Sequence, residues 1–455
     1  MFEKLSEDAP PEGRLQSFLS ASGRDLSLAE RMVEEALLAG AEEAEIYLKT
    51  SATTGIYLQG GFATLAGGHE RGLALRVFDG RGNFSHAFSS WTQPEVGARM
   101  IRSAMAALRS VTGDPVTPAF PAPCPAAPFP EIEGVLDGAV VETDPTAKRA
   151  LLERALAAAS RQAVAKILVS YRDGASRVVL ANSRGLKAVF TRTLTLLTLT
   201  RSEEGGPTLH GEVASCHLHP DEITESTDRL LRLDRSGPEE VIPTSCLLLE
   251  SAAATDIVRW IEHELVTSRA SPPEVEGFRR IASEAVEVVD DPLLPGGVAS
   301  SPFDGEGFAS VPLRLVKSGI RLARFDQVPE NGPAGTRHSV RSSYRDLPAP
   351  GGTNLIILPG RRHRDEMLQS LDRGFLLAAL ECDARGGQRD EATLWRGIGW
   401  EVRDGLLTRR CRRVLFRAAP RQLLEGILEV SRDVRCSLRR ATALGCPDLL
   451  IRPQD

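Results

Sequence analysis

Hydrophobic and polar residues alternate along this chain with two periods, and the changes between them predict helices and strands. Residues 27–30 read Ser-Leu-Ala-Glu, a capping box that opens an amphipathic helix, and Gly40 supplies the left-handed residue that ends it. Strand-like runs follow, separated by glycine turns, at 44–49, 54–59 and 72–78, with turns at Gly60-Gly61 and Asp79-Gly80. A second helix from Pro94 to Val111 completes a first α+β unit.

Proline then interrupts the pattern. Seven of the sixteen residues from Pro115 to Pro130 are proline, too many for a helix or a central strand, so residues 115–143 are predicted to be a linker. Asp144 is a helix N-cap followed by proline, and the helix it begins is predicted to extend to residue 162. Strands are predicted next at 166–172, 177–182, 186–192 and 193–201, and a helix at 220–233. Both units run from helix through strands to helix, which indicates a duplication.

From residue 237 onward, short strands, long loops and many glycines replace this order. Helices are predicted here at 252–266, 363–373 and 420–430, so this part is expected to form a large sheet or barrel. The chain is therefore assigned to the α+β class, with N-terminal α+β units built on antiparallel sheets and a large β-rich C-terminal domain. The predicted domains are 1–114, the linker 115–143, 144–236 and 237–455.

Size and charge narrow the functional classes. A chain of 455 residues exceeds the length, roughly 250 to 300, at which a single core stops growing, which predicts two or three domains. The net charge of -6 argues against a general nucleic-acid binder, because phosphate contact needs a basic face. The N-terminus has no apolar segment of a signal peptide and the chain has no long apolar run, so a cytoplasmic protein without a membrane partner is expected. Seven scattered cysteines without a Cys-x-x-Cys pair are typical of reduced thiols.

The helix near residue 260 carries half of a zinc-protease motif. His263 and Glu264 could be a ligand and a base, but the second histidine would fall at Thr267 or Ser268, and neither residue is a plausible zinc ligand. A hydrolytic zinc site needs about three protein ligands and a water molecule. A His-Glu pair on the solvated face of an amphipathic helix needs no metal to explain it.

Other candidate sites are less complete. His217 and His219 lie on one face of a strand and could clamp a metal, but no acidic or cysteine partner is evident in the sequence. The Ser342-Ser343-Tyr344 segment could hold a nucleophile, yet no Asp-His pair is identifiable, and a loop whose backbone binds a peptide is the other interpretation. The pairs Gly351-Gly352 and Gly386-Gly387 would let a peptide backbone approach closely or simply form tight turns.

Three segments of the C-terminal part, read together, resemble the TldD/PmbA family, whose PmbA branch is also called TldE. They are Pro-Phe-Asp-Gly-Glu-Gly at 302–307 with the hairpin 313–320, Arg-His-Ser-Val-Arg-Ser-Ser-Tyr-Arg at 337–345 leading to Asn354, and Gly-Gly-Gln at 386–388 with the hairpin 397–405. Segments 39–45, 70–76 and 179–185 of the N-terminal half are similar to family signatures in the expected order. The resemblance covers nearly the whole chain.

The resemblance implies paired α+β units, a β-rich C-terminal domain and assembly as dimers. It also implies a peptidase in which TldD-type subunits carry a zinc helix of His-Glu, three spacer residues and His, with a distant cysteine as third ligand, whereas TldE-type partners lack these ligands. In one register Val258, Arg259 and His263 occupy the first-ligand, glutamate and second-ligand positions; in the other, His263 and Glu264 align and Ser268 replaces the second histidine. Cys436 lies near the position of the third ligand.

The resemblance therefore predicts a TldE-like, non-catalytic subunit of a zinc metallopeptidase that processes unfolded or leader-bearing peptides. No metal or cofactor is expected in this chain; zinc is expected in a TldD-like partner, and the chain is expected to pair with that partner or with itself. Two alternatives stay open: a self-sufficient metallopeptidase using His263, Glu264 and Cys436 or His219, and a peptide-binding scaffold or regulator, as the old family label, modulator of DNA gyrase, suggests. Peptide contacts are assigned to the loops that resemble family loops, at Ser342, Ser343, Tyr344, Asn354, Gly386 and Gly387.

Overall fold

The computed structural model describes residues 14–59, 62–90, 94–111, 124–159, 166–202, 209–219, 239–241, 246–265, 279–325, 338–382, 391–439 and 442–452. The predicted turn at Gly60-Gly61, the helix 220–233, most of the proline-rich segment and Gly386-Gly387 lie outside these residues. The described helices are α1 Arg14–Ser20, α2 Ser22–Leu38, α3 Pro94–Arg109, α4 Gly138–Glu142, α5 Pro145–Ala159, α6 Ser251–Leu265, α7 Arg364–Gln369 and α8 Pro420–Glu425.

An antiparallel sheet in the order β3-β2-β1-β4-β5-β6 forms the N-terminal half. Its strands are β1 Glu43–Gln59, β2 Phe62–Phe78, β3 Phe84–Ser89, β4 Lys166–Asn182, β5 Lys187–Ser202 and β6 Leu209–Ser215. Strands β1 and β4 pair in the middle, and each is followed outward by the two strands after it in the chain. The two predicted units therefore lie side by side in one sheet and meet where β1 pairs with β4. The domain boundaries remain predictions.

The predicted gaps within these strands are wrong, since β1 and β4 each run unbroken over 17 residues. Residues 50–54 of β1 are polar except for Ala52, but three of them are threonines, whose branched side chains favour an extended chain. In β4 the gap fell on residues 173–176, where Asp173 is buried rather than exposed in a turn. Its carboxylate pairs with Lys148 at 2.5 Å and accepts the Tyr171 hydroxyl, so the charge does not end the strand.

Helices cover one face of this sheet. The apolar sides of α2 and α3 pack on the middle strands, and α5 packs on the far ends of β1, β4 and β5. Gly40 ends α2 with φ of 99° as predicted, but α2 begins at Ser22, so the predicted start at Ser27 is wrong. The extra turn, residues 22–26, is attached to the sheet by Asp25, because its buried carboxylate pairs with Arg177 of β4 and Arg71 of β2.

The C-terminal half is a large sheet, as predicted. Its strands run in the order β7-β18-β17-β16-β8-β20-β15-β10-β11-β12-β9, with β19 on the other side of β20, and β13 and β14 form a separate pair. These strands are β7 Glu239–Val241, β8 Cys246–Leu249, β9 Arg279–Arg280, β10 Val288–Asp290, β11 Leu313–Lys317, β12 Ile320–Arg321, β13 Ser339–Val340, β14 Ala349–Pro350, β15 Asn354–Ile357, β16 Arg373–Cys382, β17 Thr393–Arg403, β18 Leu406–Ala418, β19 Ile427–Arg439 and β20 Thr442–Ile451.

The core of this half lies between the sheet and α6. Helices α7 and α8 are shorter than predicted, because β16 and β19 begin soon after Gln369 and Glu425. The mixture of helices with mainly antiparallel strands confirms the predicted α+β class. None of the described helices is long and apolar enough to cross a membrane.

Candidate functional site

The loop that the sequence marked for peptide contact docks on the N-terminal sheet. Arg341 donates to Glu45 of β1 at 2.6 Å and to the Gly305 carbonyl at 2.7 Å, and its guanidinium stacks on Tyr47 at 4.6 Å from the ring centre. Glu45 also receives two hydrogen bonds from Arg76 of β2, at 3.0 and 2.8 Å. These charges are almost completely buried, so the loop joins the two halves of the molecule.

Tyr344 adds close packing to the ion pairs that hold this loop on the sheet. Its ring lies over Gly72 of β2, where an added Cβ would come within 2.3 Å of the ring, and the residue is 1% exposed. Beside it the Ser342 carbonyl accepts a hydrogen bond from Lys49 at 2.8 Å. Ser343 takes part in a local turn, in which its amide donates to Asp346 and its hydroxyl accepts from the Arg345 amide.

Two acids complete this buried cluster. Asp304 accepts from the amides of Glu306 and Phe308 and from the Ser339 hydroxyl, and burial raises the pKa of its carboxyl. Burial, with the nearby Asp304 charge, raises the pKa of Glu306 from 4.5 to about 7. Across the cluster, burial and then the two arginines lower the pKa of His86 from 6.5 to about 4. The cluster thus holds charges whose protonation depends on the contact between the halves.

Helix α6 carries the half motif, but its two residues point in different directions. His263 is exposed, whereas Glu264 is 7% exposed and pairs with Arg321 of β12 at 3.6 Å. Glu264 lines a cavity of about 10 Å³, room for about one water molecule, with Trp260 and Ile281. The pair therefore does not form one site, because Glu264 holds the fold together while His263 faces solvent.

Comparison with known proteins agrees with this fold over most of the chain. Residues 247–454 match the family model of the PmbA/TldA metallopeptidase C-terminal domain. A "Metalloprotease" of Methanothermobacter thermautotrophicus is 25% identical over 423 residues, 87% of this chain and 89% of that protein. Residues 247–454 thus form a C-terminal domain of the TldD/PmbA family.

Two solved structures share the fold of this chain over most of its length. TldE from Thermococcus kodakarensis has a TM-score of 0.76 at 16% identity, over 93% of this chain and 99% of that one. A "putative modulator of a DNA gyrase" from Thermotoga maritima also scores 0.76, at 17% identity, over 93% of this chain and 98% of that one. At such identities the likeness concerns the fold alone.

Two of the α6 residues that the resemblance predicts at zinc-site positions, Val258 and Arg259, do not fit zinc. Val258, at the first-ligand position of one register, is 1% exposed within the apolar core. Arg259, at the glutamate position, pairs with Asp256 at 2.7 Å and lies near Glu212 of β6. In the other register Ser268 lies outside the described residues. A cation and a buried valine cannot replace a base and a ligand, so no catalytic step through a metal follows from α6.

Cys436, the predicted third ligand, is half-buried on β19 opposite Gly445. Successive residues of a strand face opposite sides, and the cysteine that faces α6 is Cys446, which the sequence analysis did not select. Cys446 is buried beside Thr255, and burial raises the pKa of its thiol. Thr255 and His263 are two helical turns apart, roughly 12 Å along the axis, so Cys446 and His263 cannot share a metal.

The remaining histidine candidates are close together without enclosing a site. The rings of His217 and His219 lie 5.6 Å apart, and His217 is 3.6 Å from the Asp137 carboxylate. Both Asp137 oxygens already accept backbone amides, from Ala139 and Leu218. Within the described part of the chain, no three His, Cys, Asp or Glu side chains are placed to hold a metal ion.

The residues assigned to peptide binding differ in how accessible they are. Ser342 is exposed and Ser343 half-buried, while Tyr344 and Asn354 are buried; Gly386 and Gly387 lie outside the described residues. The Asn354 side chain donates to the Asp291 carbonyl and Ser300 hydroxyl and accepts from the Ala299 amide, which holds a loop in place. Their assignment to peptide contact remains a prediction.

The sequence did not single out Asp290, which is the centre of a buried polar group with Thr353 and His338. Its carboxylate accepts from the Thr353 amide and hydroxyl at 2.8 and 3.1 Å and lies 3.1 Å from His338 Nδ1. Asp290 is completely buried at the end of β10. A signal was present, since two acids followed by proline at 290–292 end a hydrophobic run, but His338 is distant in sequence.

Proposed function

We propose that this chain is the TldE-like, non-catalytic subunit of a zinc metallopeptidase whose metal lies on a TldD-like partner. One observation carries the proposal: the helix at the family's zinc address places Val258 in the core, Arg259 in the glutamate position and His263 alone on an exposed turn. The fold shared with TldE from Thermococcus kodakarensis supports it.

The contacts of helix α6 support a structural role for this helix within such a complex. Its first amide donates to Asp448 of β20 at 2.5 Å, the Ser251 hydroxyl donates to the Cys446 carbonyl at 2.7 Å, and Glu264 pairs with Arg321. Of the positions that would serve catalysis in a metallopeptidase helix, the first-ligand and glutamate positions carry Val258 and Arg259, Glu264 anchors the helix, and His263 faces solvent. The substrate that we propose for the complex is an unfolded or leader-bearing peptide, enclosed between the two subunits.

Reconstitution tests this proposal. The chain alone should not cleave an unfolded peptide, whereas the chain mixed with a family member that carries a complete zinc helix should cleave it and lose activity with a chelator. Because His263 is exposed and cannot share a metal with Cys446, His263→Gln should change the activity of the complex by less than about twofold. Chelator-sensitive cleavage by the chain alone, abolished by Glu264→Ala, would overturn the proposal.

A further inference from the structure

A group of polar side chains lies on the face of the N-terminal sheet that is turned away from helices α2 and α3. Strands β1, β4 and β5 bring this group together, because Ser51 pairs with Ser176 and Ser176 pairs with Arg192. Residues directly opposite on neighbouring strands share a face, and so do residues two apart on one strand. Tyr47 and Lys49 of β1 therefore lie on this face too, whereas the alternate residues of β1 pack against the helices.

Arg192 is a half-buried cation in this group, and no carboxylate of the described residues pairs with it. Its Nη1 group donates to the Ser300 carbonyl of the C-terminal half at 3.3 Å. Burial lowers the pKa of Arg192, and the groups that oppose this change are the Cys216 thiol and the Tyr47 phenol. Both are neutral at pH 7, because burial raises the pKa of Cys216 to about 11 and also raises the pKa of Tyr47. The charge of Arg192 is therefore not balanced, which is costly for a partly buried group.

Lys49 adds a second cation on the same face. Its ammonium group donates to the Ser342 carbonyl at 2.8 Å. Burial and then the charge of Arg192 lower the pKa of Lys49, so the two cations are near enough to repel each other. Glu70 and Asp346 raise the pKa of Lys49, but neither acid is among the groups that act on Arg192. The acids therefore flank the group on the Lys49 side alone.

Three hydroxyl groups around these cations can donate hydrogen bonds to a ligand. Tyr47 is 5% exposed, yet its hydroxyl has no hydrogen-bond partner among the described residues. Ser51 and Ser176 are half-buried, and their hydroxyls likewise make no hydrogen bond within the described part of the chain. Buried polar groups in native proteins are normally hydrogen-bonded. The hydroxyls thus point to a ligand that accepts hydrogen bonds, as the cations do.

We infer that Arg192, Lys49, Tyr47, Ser51 and Ser176 form a binding site for an oxyanion, which is a carboxylate or phosphate group of a ligand. The planar guanidinium of Arg192 matches the paired oxygens of either group, and a lysine binds them as a point charge. A bound anion balances the charge of Arg192 and accepts hydrogen bonds from the hydroxyls. The site lies on the sheet and not on α6, so the inference does not rest on the proposed function.

Anion binding to the full chain tests the site. Isothermal titration calorimetry with inorganic phosphate and, separately, with acetate, both at constant ionic strength, should show saturable binding of at least one of them. The anion that binds more tightly identifies the group that the site takes. Arg192→Gln should weaken this binding about tenfold or more, because a charge-assisted contact is lost. Arg149→Gln removes the same charge from an exposed arginine of α5 and should leave the binding unchanged.

A more conservative variant keeps the test valid if Arg192→Gln folds poorly. Tyr47→Phe retains the ring on which Arg341 stacks and removes only the hydroxyl. Its stability without anion should equal that of the wild type, while its affinity for the anion should fall about threefold to tenfold.

Stability with and without the anion separates binding from a structural role of Arg192. Without anion, Arg192→Gln should be at least as stable to urea as the wild type, because it removes a half-buried charge that is not balanced. Adding the anion should make the wild type the more stable of the two. A stability loss in Arg192→Gln that is the same with and without anion would overturn the inference. So would the absence of saturable binding of either anion by the wild type, or equal affinity in the wild type, Arg192→Gln and Tyr47→Phe.

Discussion

Tyr344 is a residue whose packing partner can be tested directly. Its ring occupies the space that a side chain at position 72 would need, with ring atoms 2.3 to 2.4 Å from an added Cβ. Gly72→Ala should therefore displace the ring and lower the free energy of unfolding by about 2 kcal/mol, as overpacked cores do. Urea unfolding gives the measurement.

The matched control for this prediction lies on the same strand. Gly67→Ala introduces the same methyl group where no atom lies within 4 Å, so it should change the free energy of unfolding by less than about 0.5 kcal/mol. Equal stability of the two variants would show that Tyr344 does not pack over Gly72. The loop would then not be docked by this side chain and would be free for peptide contact.

Glu306 makes the contact between the halves sensitive to pH. The folded state raises its pKa from 4.5 to about 7, so it holds a proton that the unfolded chain releases, and stability falls as pH rises through this window. The lowered pKa of His86 acts oppositely between about 4 and 6.5, because the unfolded chain binds that proton instead. Above pH 6.5 the His86 effect fades, and comparison with a variant that changes only Glu306 cancels what remains of it.

Urea unfolding at pH 6.5 and 8 isolates this effect. The wild type should lose about 1 kcal/mol of stability over this interval relative to Glu306→Gln, which has no proton to release there. Glu70→Gln, at an exposed acid on β2, should follow the wild type. Parallel pH profiles for the wild type and Glu306→Gln would contradict the assignment of this proton to Glu306.

Among the elements, helix α6 shows which part of a site local sequence can predict. Its bounds were predicted within one residue, because Ala253, Ile257 and Ile261 repeat with the period of a buried helix face. Two contacts of the helix, however, depend on strands distant in sequence: the ion pair of Glu264 with Arg321 and the contact of Thr255 with Cys446. The central β1–β4 pairing is likewise long-range, as it joins Glu45 to Asn182. Local patterns carry no information on such partners.

The two candidate residues at the end of α6 should respond oppositely to mutation. Glu264→Gln removes the carboxylate charge that faces the buried Arg321 and should lower the free energy of unfolding by about 1 to 3 kcal/mol. His263→Gln changes an exposed side chain and should stay within about 0.5 kcal/mol of the wild type. The reverse order in urea unfolding would show that His263, and not Glu264, anchors the helix.

At the scale of the whole molecule, the buried charges joining the halves fix the β-rich domain on the N-terminal sheet. Arg341, Glu45 and Arg76 bridge them by side chains with almost no exposure. The family's fold is thus retained, while Val258 and Arg259, at two of the predicted zinc positions on α6, have side chains that are not zinc ligands. A family fold with a changed metal address is what we expect of a subunit that completes a peptidase without catalysing the reaction.

Metal content of the chain purified alone, after exhaustive dialysis, tests this central claim most directly. Plasma emission spectrometry should find well below one zinc per chain, because α6 offers Val258 and Arg259 where a ligand and a base would lie. A family member with a complete zinc helix, treated in parallel, shows that dialysis spares a bound ion. About one zinc per chain, retained through dialysis and lost in His263→Gln, would contradict the account.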